Sequence, residues 1–401
     1  MQYRELKKTG EKISVLGYGG MRFPQKNGKI DVNLTKAQML YAIDHGVNYL
    51  DTAWLYHKGT SESFLGEHIL KNGYREKVNI ATKLPCPLIN KPSQFDEYFS
   101  KQRAKLQVEV IDFYLLHALD GLIFDKMVNM GIFNFLEKLK KEKKVRYIGF
   151  SYHGNAEDFI RIIDSYDWDF AQVQFNIIDE TFQAGINGIR YAYSKDISVF
   201  VMEPLRGGTL VGKLPKPVER LYASAPVQHD AADWALRWIL NHKEVTMLMS
   251  GMNDITHIKN NIQTASTSFA GGLTKEERII IKKVRHIYNK MLTVKCTGCG
   301  YCMPCPAQIN IPNAFKALND KNMFGGYRSN VDYMLQAGIQ TKDGKAHWAS
   351  SCLHCGKCER ACPQFLPVQE DLKKVTAKFE NVDAKVISKL GRIILKNPVK
   401  K

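Results

Sequence analysis

Three successive apolar, strand-like runs each lead to a side chain that can hold or move a proton. Val47 to Leu50 leads to Asp51 and, four residues beyond Thr52, to Tyr56; Val78 to Thr82 ends in Lys83; Asp112 to Leu116 ends in His117. Tyr56 is the one of the four able to give a proton to a carbonyl oxygen and remain as a phenolate. A free phenol titrates near 10, too high for efficient acid–base work near neutrality. A cationic Lys83 in contact stabilises the phenolate, Asp51 holds that lysine charged and oriented, and His117 polarises the carbonyl through a ring N–H. The chemistry would be protonation of an oxygen while hydride arrives at the carbon. Singly, each residue has a structural reading, such as a solvated lysine or a hydrogen-bonded histidine. All four at one end of consecutive strands form a site.

A second chemistry lies near the carboxyl end. The runs Cys296-x2-Cys299-x2-Cys302-x2-Cys305-Pro306 and Cys352-x2-Cys355-x2-Cys358-x3-Cys362-Pro363 hold eight of the nine cysteines. In a reducing compartment such clustering means metal ligation rather than disulfides. A zinc site uses four Cys at C-x2-C spacing, which leaves two four-Cys runs closed by Cys-Pro unexplained. Cys86 stands apart, between Pro85 and Pro87, and reads as an inert thiol more readily than a reactive one.

The elements that must position these residues alternate. Residues 3 to 15 read as a hairpin turning at Thr9-Gly10-Glu11, suited to plugging a barrel bottom. Ser14 to Gly20 is a strand opening into a glycine-rich loop. Thr35 with Gln38 is expected to cap a helix through Asp44 that Gly46 stops. Strands then alternate with helices of 10 to 15 residues, giving eight strand–helix pairs by residue 265, the pattern of parallel βα units closed into a (β/α)8 barrel. No G-x-G-x-x-G follows the first strand, which argues against a doubly wound sheet. The fold class is therefore α/β: a TIM barrel over residues 1–273, a linking helix at 274–290 capped by Thr274 and Glu277, a mostly helical cysteine-bearing domain at 291–380 and a basic amphipathic tail at 381–401. In that tail Val386, Ile387, Leu390, Ile393 and Ile394 recur at helical spacing, for packing on the protein's own surface or, less readily, on a membrane.

The stretch Leu50-Asp51-Thr52-Ala53 with Tyr56, Gly66 in the following helix, Lys83 and His117 resembles the aldo-keto reductases, whose tetrad is Asp, Tyr, Lys and His. The resemblance covers about residues 1 to 270. It implies a nicotinamide, NADP(H) or NAD(H), across the barrel mouth, and a small carbonyl or alcohol substrate. It also implies that Ser151 and Gln172 hold the carboxamide, that Gly20, Met21, Arg22 and Pro204-Leu205-Arg206-Gly207-Gly208 line the cofactor, and that Ser250, Gly251, Met252 and Asn261 bind its adenine end. Where the family has Asn after its Ser, this chain has Tyr152-His153; where many NADPH-preferring members carry Arg or Lys, position 257 is His. The cysteine spacing is similar to that of the bacterial two-cluster ferredoxin, in which the fourth Cys of each run ligates the other cluster. That implies one [4Fe–4S] cluster on Cys296, Cys299, Cys302 and Cys362, and another on Cys352, Cys355, Cys358 and Cys305. The Cys302-x2-Cys305 step is one residue short of the usual spacing. The whole chain resembles the ferredoxin-fused branch of the family.

The formal net charge of +17 is spread over scattered basic residues. It suits a solvated surface or the steering of an acidic electron carrier such as ferredoxin or flavodoxin. Nucleic acid is disfavoured because no basic stripe carries interleaved aromatics. No apolar run approaches the roughly 18 residues of a spanning helix, and the amino terminus lacks an apolar core. A cytoplasmic protein with no integral membrane segment is expected. The functions consistent with these features are an oxidoreductase, an electron-transfer module built on a barrel scaffold, or a flavoenzyme in which FMN bridges hydride and one-electron transfer.

Overall fold

The computed structural model describes residues 1–396 apart from Gln340, Lys342 and Gly344. The expected closed barrel is present. Its eight parallel strands are Leu16–Gly19 (β1), Tyr49–Asp51 (β2), Asn79–Leu84 (β3), Ile111–Leu119 (β4), Val145–Tyr152 (β5), Phe170–Gln174 (β6), Ser198–Met202 (β7) and Val245–Ser250 (β8). β8 closes on β1 with Leu248 opposite Leu16 and Ser250 opposite Tyr18. Helices separate the strands, as parallel connection requires.

The lower interior is filled by side chains from seven of the eight strands: Tyr49, Ala81, Phe113, Leu115, Tyr147, Phe170, Phe200, Met247 and Met249. Phe113 lies at its centre, with ring centroids 5.0 Å from Tyr49, 4.7 Å from Tyr147 and 5.2 Å from Phe170. Truncating it to Ala would cost about 3–5 kcal/mol. From below, an antiparallel hairpin of Tyr3–Glu5 with Lys12–Ser14 adds Leu6 and Ile13 to this cluster.

One cap differs from expectation. The first barrel helix is Val32–Asp44, and its cap is Asp31, whose carboxylate accepts from Leu34 N at 3.1 Å. Asp31 supplies an acceptor in extended backbone one turn before Thr35, so Thr35 and Gln38 lie inside the helix, buried. The Thr274–Glu277 box does form: Glu277 N donates to Thr274 Oγ1 (3.1 Å) and Thr274 N to Glu277 Oε2 (2.7 Å). It opens the helix Lys275–Met291. The helices Gly121–Asn129, Lys216–Ala223 and Val368–Phe379 escaped the pattern reading.

By its contacts the chain forms two compact units. The first comprises Met1–Arg206 with Ala225–Ile281; the second comprises Gly207–Ser224 with the chain from Lys282 onward. The second unit therefore includes an excursion from the loop after β7. Within it Tyr288 OH donates to Thr209 O, and Lys213 Nζ stands 4.5 Å from the Phe324 ring. Its core joins Ile311, Phe315, Leu318, Tyr333, Trp348, Leu372, Val375 and Phe379. The helices that supply most of these are Ile311–Phe324, Arg328–Tyr333 and Val368–Phe379. The tail begins a further helix, Val382–Lys396. There Ser388 is buried, whereas Val386 and Ile387 are exposed; the side chains of Leu390, Ile393 and Ile394 lie outside the described residues. No helix among the described residues is long and apolar enough to cross a membrane.

Candidate active site and cysteine centres

Side chains two residues apart on a strand share a face, so each interior column can be followed upward. Above Tyr49 comes Asp51, above Ala81 comes Lys83, and above Leu115 comes His117. Above Tyr147 come Gly149 and Ser151, and above Phe170 come Gln172 and Gln174. The columns change from apolar to polar at one level, at the carboxyl ends of the strands, which is where a barrel carries chemistry.

Lys83 is fully buried, and its ammonium donates to both oxygens of Asp51 and to Thr52 O, each at 2.7 Å. Three donors and three acceptors leave its position fixed. Burial pulls both partners toward neutrality, raising the Asp51 carboxyl and lowering the Lys83 ammonium, while their mutual attraction opposes it. The Lys83 nitrogen stands 4.9 Å from the Tyr56 ring centroid, and the His117 ring lies edge-on to Tyr56 at 6.1 Å. Burial, then the charge of Lys83, then His153, hold His117 well below the usual imidazole range, so it is neutral near pH 7. The four residues expected at the rim are thus neighbours.

The loop carrying Tyr56 is shaped by three successive left-handed residues, His57 (φ 50°), Lys58 (φ 56°) and Gly59 (φ 86°). His57 ties it down, accepting from Phe23 N at 3.0 Å and stacking on the Phe23 ring. On the other side Trp54 packs edge-on to Tyr98, with Lys105 Nζ 3.6 Å from its ring centroid.

Beneath Lys83 lies a buried network absent from the sequence reading. Glu62 Oε1 accepts from Thr82 Oγ1 (2.7 Å) and Gln102 Nε2 (2.8 Å), while Gln102 also donates to Lys83 O and accepts from Tyr114 OH. The signal was available: Gln102 falls three residues after Phe99 on the apolar face of its helix, where a polar residue needs partners. His153 was noted only as a departure from the family pattern. It is buried, its Nδ1 has no hydrogen-bond partner, and burial, against a bond from Gln183, brings it down to about 4.

The residues expected to line a cofactor divide into three groups. Gln172 is buried with Oε1 lacking a partner, and Ser151 Oγ accepts from Ala118 N at 2.8 Å, leaving its hydroxyl hydrogen to donate. An orphaned acceptor beside a hydroxyl suits an exogenous amide. Ser250 and Asn261 bond to each other at 3.2 Å, Tyr18 OH donates to Met252 O, and a Cβ on Gly251 would meet the Arg22 side chain at 3.2 Å. The segments of Arg22 and Ser250-Gly251-Met252 are therefore adjacent. Gly20 is required by packing, since a Cβ there would stand 2.7 Å from Asp51 O. In the third group Arg206 is fully buried, with Nε donating to Asp179 Oδ2 at 2.8 Å. Gln174 and Asn176 donate to the same oxygen. The Nε of its guanidinium is thereby engaged in a buried ion pair. Pro204, Leu205 and Gly207 flank it on a loop in which Glu203, Arg206 and Gly207 all have positive φ.

All nine cysteines are free. Cys302, Cys305, Cys352, Cys355 and Cys358 all line one cavity. Burial and the neighbouring Cys299, Cys296 and Cys362 push the Cys302 thiol up to about 12. Cys302 thus neighbours thiols of both runs, and the cysteines together are a donor set suited to thiolate-held clusters. Among the described residues no three His, Cys, Asp or Glu side chains converge on a single ion. Cys86 is fully buried in the other unit, its thiol likewise pushed to about 12. The positive charge, expected to be scattered, is concentrated instead. From Lys282 onward there are 21 Lys and Arg against 8 Asp and Glu, a net +13 of the total +17.

A barrel with this rim defines a class, the TIM-barrel oxidoreductases, and comparison with known proteins narrows it. The sequence pattern of the aldo/keto reductase family matches residues 15–276, and that of a 4Fe-4S dicluster domain matches residues 295–367. The chain belongs to the aldo/keto reductase family and carries a C-terminal 4Fe-4S dicluster domain. It is 25% identical over 249 residues to Protein tas of Escherichia coli (strain K12), covering 53% of this chain and 70% of that one. It is 24% identical over 281 residues to the NADH-specific methylglyoxal reductase of the same organism, covering 60% and 85%. Among solved structures, aldo-keto reductase AKR11C1 from Bacillus halodurans (holo form) superposes with TM-score 0.59 at 26% identity, covering 71% of this chain and 96% of that one.

Proposed function

We propose that the barrel reduces a small carbonyl compound, or oxidises the corresponding alcohol, with a nicotinamide cofactor, and that the cysteines hold two [4Fe–4S] clusters. The observation that carries the first part is the locked Lys83 ammonium, 4.9 Å from the Tyr56 ring and bonded to both Asp51 oxygens. Tyr56 donates the proton to the carbonyl oxygen. Lys83 stabilises the negative charge left on the phenolate, and Asp51 keeps Lys83 in place. His117, neutral, donates its ring N–H to the same oxygen and orients it. Ser151 and Gln172 would hold the carboxamide of a nicotinamide, which when bound supplies or accepts hydride. Cys296, Cys299, Cys302 and Cys362 would hold one cluster, and Cys305, Cys352, Cys355 and Cys358 the other; such clusters supply one-electron transfer. The thiol groupings above support that crossed assignment. An acidic carrier protein would serve as the one-electron partner, and FMN is retained as a candidate bridge between the two regimes.

Tyr56→Phe tests the barrel chemistry, with methylglyoxal as the first probe because a relative acts on it. Turnover should fall by about 10²- to 10⁴-fold while nicotinamide binding, followed by fluorescence, stays within about twofold. A variant with near wild-type kcat would remove Tyr56 from the mechanism and favour a scaffold role for the barrel. Anaerobic reconstitution should yield roughly eight irons and eight sulfides per chain; half that content would contradict the second cluster.

A further inference from the structure

We propose that the loop from Cys352 to Arg360 is the docking face for a small acidic one-electron carrier protein, with Leu353 as its apolar centre and Lys357 and Arg360 as its cationic flank. This rests on the reading that the surrounding thiols hold redox clusters.

Three observations on one short segment support it. Leu353 borders the cavity of Cys305, Cys352, Cys355 and Cys358, yet is 65% exposed. Cys355, two residues on, is the exposed member of the eight clustered cysteines. A group held there would have its shortest route to a partner through this surface. The charge on the loop is also sorted. Its one acid, Glu359, is turned toward the helix Val368–Phe379, accepting from Gln369 N at 3.0 Å and Gln369 Nε2 at 2.9 Å. Lys357 and Arg360 are exposed, and among the described residues no carboxylate pairs with either. Arg360 NH2 instead donates to Cys355 O at 3.3 Å, which fixes the loop.

An apolar centre flanked by unpaired charge is the layout of a recognition surface. Its sign selects an anionic partner, and the net +13 of the segment behind it extends that selection to long range. Weak electron-transfer encounters bury less than about 1,200 Å², so such a partner needs no extensive interface. Nucleic acid fits less well, because the loop presents no stacking aromatic and its His354 is bonded to Gln369.

The test uses the full-length, cluster-reconstituted protein and oxidised flavodoxin as the probe, with binding followed by biolayer interferometry across a salt series. K357E/R360E should lower the association rate by about 10-fold or more at low salt and flatten its salt dependence. L353D should mainly raise the dissociation rate, and the charge-conserving K357R/R360K should bind like wild type. Iron content and the unfolding transition, measured on every variant, confirm that the loop still folds. The proposal is overturned if K357E/R360E binds within twofold of wild type or if wild type does not bind the carrier. It is also overturned if double-stranded DNA or anionic vesicles show the same dependence on these residues, which would make the face a general polyanion site. Nicotinamide-driven carbonyl reduction separates the levels: its persistence with carrier binding absent refutes docking alone, whereas iron content at background refutes the cluster reading beneath it.

Discussion

Removing the Lys83 ammonium while keeping its volume, by Lys83→Met, isolates the buried pair at the centre of the rim. The three bonds it makes, each 2.7 Å, all end on buried groups: both oxygens of Asp51, 4% exposed, and Thr52 O. Methionine supplies none of them, so Asp51 is left as an uncompensated buried carboxyl. Breaking a buried pair in this way costs about 3–5 kcal/mol, a large share of the roughly 5–15 kcal/mol that holds a domain folded. The loss has a defined pH dependence. Without Lys83, burial alone acts on Asp51, raising its folded-state affinity for a proton above the unfolded value. A group raised in the folded state stabilises fully at low pH and loses that contribution as pH rises, so the deficit should be smaller near pH 5 than near pH 8. Asp51→Asn combined with Lys83→Met removes both charges and should recover most of the stability, with a coupling of at least about 2 kcal/mol between the sites. Urea unfolding followed by tryptophan fluorescence is the assay, since Trp54, Trp168, Trp234 and Trp238 all lie in the first unit. The reasoning is refuted if Lys83→Met costs less than about 1 kcal/mol, or if the double variant is as unstable as the two singles added. On the proposed function the double should lack carbonyl reductase activity, which separates the pair's structural role from the catalytic one proposed for it.

Three further outcomes are expected. His117 and His153 are both depressed by burial, His153 to about 4. The unfolded chain therefore binds their protons first, and stability should fall as pH drops from about 6.5 toward 4, by up to ~1.4 kcal/mol per pH unit per histidine; His153→Gln should shallow that slope, and an unchanged slope would refute the assignment. Cys86, buried and pushed to about 12, should resist iodoacetamide at pH 8 in the folded protein while thiols of the cluster-free second unit are alkylated, as read by peptide mass mapping. Gly66→Ala would place a Cβ 2.3 Å from Lys105 O, and overpacking against backbone should cost about 1–3 kcal/mol in unfolding measurements.

The barrel was legible because its signal is periodic: eight apolar runs alternating with helices leave few other architectures. The rim was legible because Asp51, Lys83 and His117 sit two residues above apolar neighbours on their own strands. The first helix cap was misplaced because Asp31 precedes the periodic stretch, while Thr35 and Gln38, though matching the box, face the interior. The Glu62–Gln102–Tyr114 network was missed because its members come from two helices and a strand whose pairing no local pattern encodes. The Arg206–Asp179 ion pair was not legible because its partners lie on different loops 27 residues apart. The sorting of charge needed only a count by segment, and followed once the segments had edges.

The excursion Gly207–Ser224 makes the second unit discontinuous in the sequence. Its 18 residues leave the ribosome well before Lys282, so during synthesis Tyr222, buried in the finished chain, must wait for the partners around Tyr288. A gene truncated at the end of the barrel would strand that segment with its apolar side chains uncovered, and such a product should aggregate more readily than a barrel born without the insertion. Excising the cysteine-bearing unit cleanly takes the removal of two segments and a new connection from Arg206 to Ala225.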